Sequence, residues 1–362
     1  MEYGKFNFKT GGQGISTPRN ISLDIARIIA VLFVVMIHCS GVFVVGFQDA
    51  PNGFLVGNIL DSISRPGVAL FLMISGALML DESKKKSTRD MLVSAKNILI
   101  LLVLWLLIYS LLYNIITPLV IGQPIKSFSQ LVYRTINGHV HMWYLYMIIG
   151  IYLATPFIRK FVKKENKNLI LLYLVISLCT TFVQPMLTFA SGYFSPISLI
   201  NNFISQLRLG FFNCYMTYYI MGWYIVHIGI DKKWIRKTIY SVAALSLVLM
   251  ITLTQLTGKY NEMYAYDGIL VLLYSLGIFL FVNNCKPRFS EKTKSFILLL
   301  SKLSFGVYII HPMFNALAEE YLKSQTNPLI HIPIRFAFVI IVSFVASYGI
   351  SKIPLVKKII RG

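Results

Sequence analysis

Three ionisable side chains interrupt a run that is otherwise apolar enough to cross a bilayer. Residues 21–45, ISLDIARIIAVLFVVMIHCSGVFVV, carry Asp24, Arg27 and His38. A charge in hydrocarbon is costly and is kept where it faces a protein interior or a wet cavity. Arg27 and His38 are eleven residues apart, which on an α-helix is ~20° of azimuth and ~16 Å of rise. Asp24, three residues before Arg27, reaches it on the same face. A polar stripe therefore leads from a cation at one end of the span to an imidazole deep inside it. Imidazole titrates near neutrality and can take or carry a proton there. A plain anchor needs no such stripe.

Further polar groups gather at the expected depth of that imidazole. Arg65 lies well inside DSISRPGVALFLMISG and is followed by Pro66. Proline removes a donor and frees an upstream carbonyl, which in a membrane must be satisfied by protein or water. Arg65 therefore reads either as a site wall or as a cap for freed carbonyls. LSFGVYIIHPM places Tyr308 three residues before His311, and counting rise brings His311, His38 and Arg65 to a similar depth. HVHMWYLYM puts His141, Trp143 and Tyr144 near the rim of a fourth span, where an aromatic belt is also expected. Arg208 and Arg335 sit near helix ends and are expected to snorkel. Lys302 reads as an interfacial residue, and His139, His227 and His331 receive no role.

The elements that hold these groups are membrane spans. Of 362 residues, 56% are hydrophobic and 13% charged, against about 25% charged in a soluble domain; the mean hydropathy is +0.68. Apolar runs of spanning length recur at 21–45, 56–80, 91–116, 140–158, 168–189, 207–229, 238–256, 266–284, 295–315 and 333–353. The expected fold is an all-α polytopic bundle of about ten transmembrane helices. The loops on the N-terminal side hold 25 of the 34 Lys and Arg, and the opposite loops hold four, Lys126, Arg134, Lys259 and Lys323. By the positive-inside rule both termini are cytoplasmic and the protein is a multi-pass cell-membrane protein. The net charge of +20 is then a topology signal and implies no nucleic-acid partner. Cys39, Cys179, Cys214 and Cys285 are scattered singly, which implies neither a disulfide framework nor a metal. The domain reading is a cytoplasmic segment 1–20, a transmembrane domain 21–353 and a basic tail 354–362. No cleavable signal peptide, internal repeat or separate soluble domain is evident.

LDIARIIAVLFVVMIH, RPGVALFLMISG, HMWYLYMIIGIYLATP and SFGVYIIHP, in that order, resemble the motifs of the acyltransferase-3 family of integral membrane O-acyltransferases. The likeness covers nearly the whole chain and is greatest to the branch holding the enterobacterial common antigen O-acetyltransferase and the membrane part of the vancomycin-resistance serine racemases. The resemblance implies transfer of an acyl group, usually acetyl, from cytoplasmic acyl-CoA to a hydroxyl of an envelope glycan or its lipid-linked precursor, with acetyl-CoA as donor and no metal. It carries the family's first-span pair onto Arg27 and His38, and further motif positions onto Arg65, Trp143, Tyr308 and His311. Some members carry a fused extracytoplasmic hydrolase-like domain. The chain ends at Gly362, so it is expected to act without one, leaving a separate partner or a homo-oligomer open.

On that reading Arg27, held by Asp24, meets the phosphate or pantetheine part of the donor, with loop lysines 84–86 adding attraction. His38 is the general base or the acyl carrier. Arg65, Tyr308 or His311 stabilises the oxyanion, while His141, Trp143 and Tyr144 face the acceptor. Cys39 points ~100° away from His38 and is not a relay. The other reading is a transporter of a polar solute; an interior proline in the second span with no counterpart in the second half argues against the repeats typical of transporters. A scaffold role leaves Arg27 and His38 unexplained. The opposite loops offer no evident sugar-binding aromatics.

Overall fold

A computed structural model describes residues 20–45, 51–116, 127–207, 209–285, 287–322 and 327–353. The terminal segments and Arg208 lie outside them. The described residues form helices α1 (Ile21–Val45), α2 (Pro51–Ser64), α3 (Pro66–Met79), α4 (Thr88–Leu111), α5 (Phe128–Asn137), α6 (Trp143–Phe161), α7 (Lys167–Ser177), α8 (Gln184–Ser191), α9 (Ile197–Gln206), α10 (Cys214–His227), α11 (Lys233–Thr257), α12 (Ile269–Asn284), α13 (Glu291–Leu322) and α14 (Pro328–Ser351), with no strand among them. The chain is an all-α polytopic bundle. Eight helical stretches are long and apolar enough to cross a membrane. The remaining two expected spans are α10 and α12, of 14 and 16 residues. At 1.5 Å per residue these rise about 21 and 24 Å, short of a ~30 Å core.

Local chemistry sets the helix ends. Ser87 and Asp90 form a capping box at the start of α4, and Asn213 Oδ1 caps α10 by accepting from Met216 N. Such caps satisfy amides that the first turn leaves without partners. Pro66 separates α2 from α3 at Arg65. Prolines also lie inside α6, α13 and α14, at 156, 312 and 333. The expectation that the second half lacks an interior proline is therefore corrected.

The first span is the centre of the bundle, packing against α2, α3, α12, α13 and α14. α3 and α10 meet backbone to backbone at Gly76 and Gly222, where an added Cβ would fall under 3.0 Å from Tyr219 O and Met73 O respectively. Small residues permit such approach between helices in lipid. Gly222→Val is accordingly expected to cost at least the 1–3 kcal/mol typical of overpacking. The check is a thermal-unfolding midpoint in detergent that falls by several degrees.

Arg335 departs from its expected place. It is 3% exposed, paired with Glu319, and its Nε donates to Asn315 Oδ1 at 2.8 Å. A guanidinium with a carboxylate and an amide in reach has no need to extend to the interface.

Candidate active site

At the end of the bundle carrying the basic loops, Arg27, Asp24 and Ser301 form a closed set. Arg27 Nη1 lies 3.5 Å from Asp24 Oδ1 and donates to Ser301 Oγ at 3.1 Å. Ser301 Oγ in turn donates to Asp24 Oδ1 at 2.6 Å. The guanidinium is thereby fixed from two helices, α1 and α13. It borders a cavity of about 880 Å³ whose wall includes Asp24, Lys84, Lys164, Trp223 and His227. The loop beside this cavity is clamped by Arg159, which donates to the carbonyls of Met79, Asp81 and Lys84 and so also caps the end of α3. Burial opposes ionisation of Asp81, but its hydrogen bonds from Ser83 prevail and hold the carboxyl below its usual range. Lys86 does not reach into the cavity. Its ammonium is tucked against Met79 Sδ, and burial lowers its pKa.

Arg27 also lines a narrow chamber of about 130 Å³ with Phe71, Ser75, Tyr144, Tyr152 and Tyr308. Tyr144 and Tyr308 in turn border a second chamber of about 180 Å³, where His38, Arg65, His141 and Trp143 meet. His38 and Arg65 line a fourth cavity as well, about 750 Å³, which opens toward the far end of α1 past Asp61, Tyr264 and Tyr266. Each cavity thus shares at least one wall residue with the next, Arg27 alone between the first two, and His38 borders both the middle chamber and the far cavity.

The prolines shape this middle layer. Pro312 has no N–H, so the carbonyl of Tyr308, four residues earlier, loses its helical donor. His311 Nδ1 donates to that carbonyl at 2.7 Å. The bond assigns the proton to Nδ1 and leaves Nε2 of the neutral ring as an acceptor. The His311 ring centroid is 5.1 Å from that of His38 and 5.7 Å from that of His141. Tyr308 Oη donates to His141 O, tying α13 to the turn before α6. Both side-chain donors of Tyr308 and His311 are therefore engaged. Arg65 is paired with Asp61 and stacked over Tyr264 at 4.2 Å, yet its Nε is buried without a hydrogen-bond partner among the described residues.

Eight of the nine residues singled out by sequence border these cavities, and the ninth, His311, packs against His38. Asp24 and Arg27 stand at one end, and Tyr144 and Tyr308 at the waist. His38, Arg65, His141 and Trp143 surround the middle chamber, with His311 buried behind His38. Several neighbours had not been singled out. Asp61 was legible four residues before Arg65, and Asn315 four after His311, since such pairs share a helix face. Asn315 Nδ2 donates to His38 O at 3.3 Å. His139, given no role, has Nδ1 3.0 Å from His141 Nδ1, and His227, also given none, borders the first cavity. Tyr264, Tyr266 and Ser301 had no local signal, because tertiary packing alone brings them to the site. Trp143 lies 5.6 Å from Tyr266 and 5.7 Å from Tyr215 between ring centroids.

No curated protein and no solved structure matches the chain. A family model described as an acyltransferase domain matches residues 20–351, which includes every residue of the cavity line. The chain is a polytopic membrane acyltransferase and belongs to the acyltransferase-3 family.

Proposed function

We propose that the protein transfers an acetyl group from cytoplasmic acetyl-CoA to a hydroxyl of a cell-envelope glycan or its lipid-linked precursor. The observation that carries this reading is the succession of four cavities from Arg27, through the Tyr144–Tyr308 waist, to His38 and Arg65 and on to the far face. A thioester on a thin arm can thread such a passage while its charged nucleotide stays outside. The excess of Lys and Arg in the loops beside the first cavity makes that face cytoplasmic, with both termini inside and the acceptor arriving from the other side of the cell membrane. A middle chamber of about 180 Å³ favours a short acyl group.

In this mechanism Arg27, oriented by Asp24 and Ser301, holds the phosphate end of the donor arm. His38 takes the proton of the acceptor hydroxyl as its oxygen attacks the thioester carbonyl. Arg65 Nε donates to the tetrahedral oxyanion. Collapse breaks the C–S bond, and the departing thiolate receives the proton from His38. His311, its Nδ1 engaged by Tyr308 O, orients His38 through the packing of the two rings rather than serving the oxyanion. Tyr308 and Tyr144 line the arm, while His141, Trp143 and Tyr266 meet the acceptor. Exchange of one ester for another needs no metal.

Detergent-purified protein incubated with acetyl-labelled acetyl-CoA and de-O-acetylated envelope glycan should release CoA and label the glycan. Arg27→Ala should raise KM for acetyl-CoA roughly tenfold or more, the scale of losing one charge-assisted contact of about 1.5–3 kcal/mol. Absence of CoA release, together with solute flux in proteoliposomes, would reject the enzyme reading in favour of transport.

A further inference from the structure

The first cavity is several times larger than the chambers beyond it, so a bulky group must stop there while a slender one continues. Three cations border it, Arg27 at the entrance to the waist and Lys84 and Lys164 toward the loops, together with three carboxylates, Asp24, Asp81 and Glu82. Asp24 is engaged by Arg27 and Ser301. Asp81 lies 3.9 Å from Lys84 and Glu82 accepts from Lys164 N, so a phosphate here competes with Asp81 for Lys84. On its remaining wall stands a flat ring. His227, on the last turn of α10, has its ring centroid 5.7 Å from that of Trp223, with the two planes 29° apart. The indole is fully buried. His227 Nε2 donates to Ala77 O at 2.9 Å, which anchors the imidazole to α3. Leu78 and Val226 complete an apolar surround. A rigid ring, backed by a second ring and facing a cavity bordered by lysines, has the attributes of a base-stacking platform beside a phosphate site.

We propose that His227, supported by Trp223, is the stacking platform for the purine base of the donor nucleotide. The inference rests on the acyl-CoA reading above and adds to it where the nucleotide is held. The base lies against the imidazole, the phosphates lie between Lys84, Lys164 and Arg27, and only the pantetheine arm passes the waist. His227 touches the nucleotide and not the reacting atoms, so its contribution belongs to donor selection.

The test compares two donors, acetyl-CoA and S-acetyl-4′-phosphopantetheine, which lacks the nucleotide, by release of free thiol from detergent-purified protein. The readout is the ratio of their kcat/KM values. The wild type is expected to favour acetyl-CoA. His227→Ala should reduce that preference roughly tenfold, since removing an aromatic partner from a stacked base costs about 1–3 kcal/mol and 1.36 kcal/mol is tenfold. His227→Phe keeps the stack but loses the bond to Ala77, and should retain most of the preference. It also serves as the folded control if His227→Ala is poorly produced. An unchanged preference in His227→Ala, or a loss as large in His227→Phe, overturns the platform while leaving the acyl-CoA reading intact. A wild type that consumes neither donor overturns both.

Discussion

His38→Ala is expected to reduce acetyl transfer at least a hundredfold while leaving the protein folded and inserted. General acid–base catalysis by a positioned side chain contributes about 10²–10⁴ in rate, and among the described residues no other imidazole borders both the waist-side chamber and the cavity of the far face. The ring is only half-buried, so its removal opens space in existing cavities without emptying a packed core. The thermal midpoint and elution volume in detergent should therefore stay near those of the wild type. KM for acetyl-CoA should change little, because the donor is held from Arg27 outward. Rapid quenching with acetyl-labelled donor separates the two roles open to the ring. Label retained on wild-type protein, released by hydroxylamine and absent from His38→Ala, identifies an acyl carrier; no retained label identifies a base. Wild-type transfer by His38→Ala rejects both.

The second large effect is at the Asp61–Arg65 pair. The Asp61 side chain is 1% exposed and that of Arg65 16%. Arg65→Met leaves a carboxylate buried and unpaired, a change that costs about 3–5 kcal/mol. This single variant should therefore give little folded protein. The double variant Asp61→Asn with Arg65→Met removes both charges and should recover a near-wild-type thermal midpoint. Its transfer rate should nevertheless remain about 10²–10³ below wild type, the usual loss for one oxyanion donor. Arg65→Lys keeps the charge but not the planar fork, and should fold yet transfer slowly. A double variant that both folds and transfers normally would reduce Arg65 to a structural cap for the break at Pro66.

The all-α bundle was legible because hydrocarbon imposes a length and a polarity on every span. Ten apolar runs are enough to specify a helical bundle, and Arg27, His38, Arg65 and His311 were conspicuous because ionisable groups are rare inside such runs. The shared depth of His38, Arg65 and His311 followed from helical rise alone. What a one-dimensional reading handled poorly was pairing. Arg335 was placed by its nearness to a helix end, yet Glu319 and Asn315 on the neighbouring helix hold it inside. His139 lay just outside an apolar run and His227 at the very end of one, so neither stood out as a group buried within a span.

The amino-acid order by itself determined an all-α polytopic membrane chain, several ionisable residues set inside apolar runs and the family motifs, because these depend on composition, period and spacing along the chain. Only the tertiary structure decided that these residues border one succession of cavities. It also decided that Tyr308 Oη is engaged by His141 O and His311 Nδ1 by Tyr308 O, while Arg65 Nε has no hydrogen-bond partner among the described residues. The physical reason is that periodicity assigns a side chain to a face of its own helix, whereas a hydrogen-bond partner on another helix is chosen by packing between residues as far apart as Asp24 and Ser301.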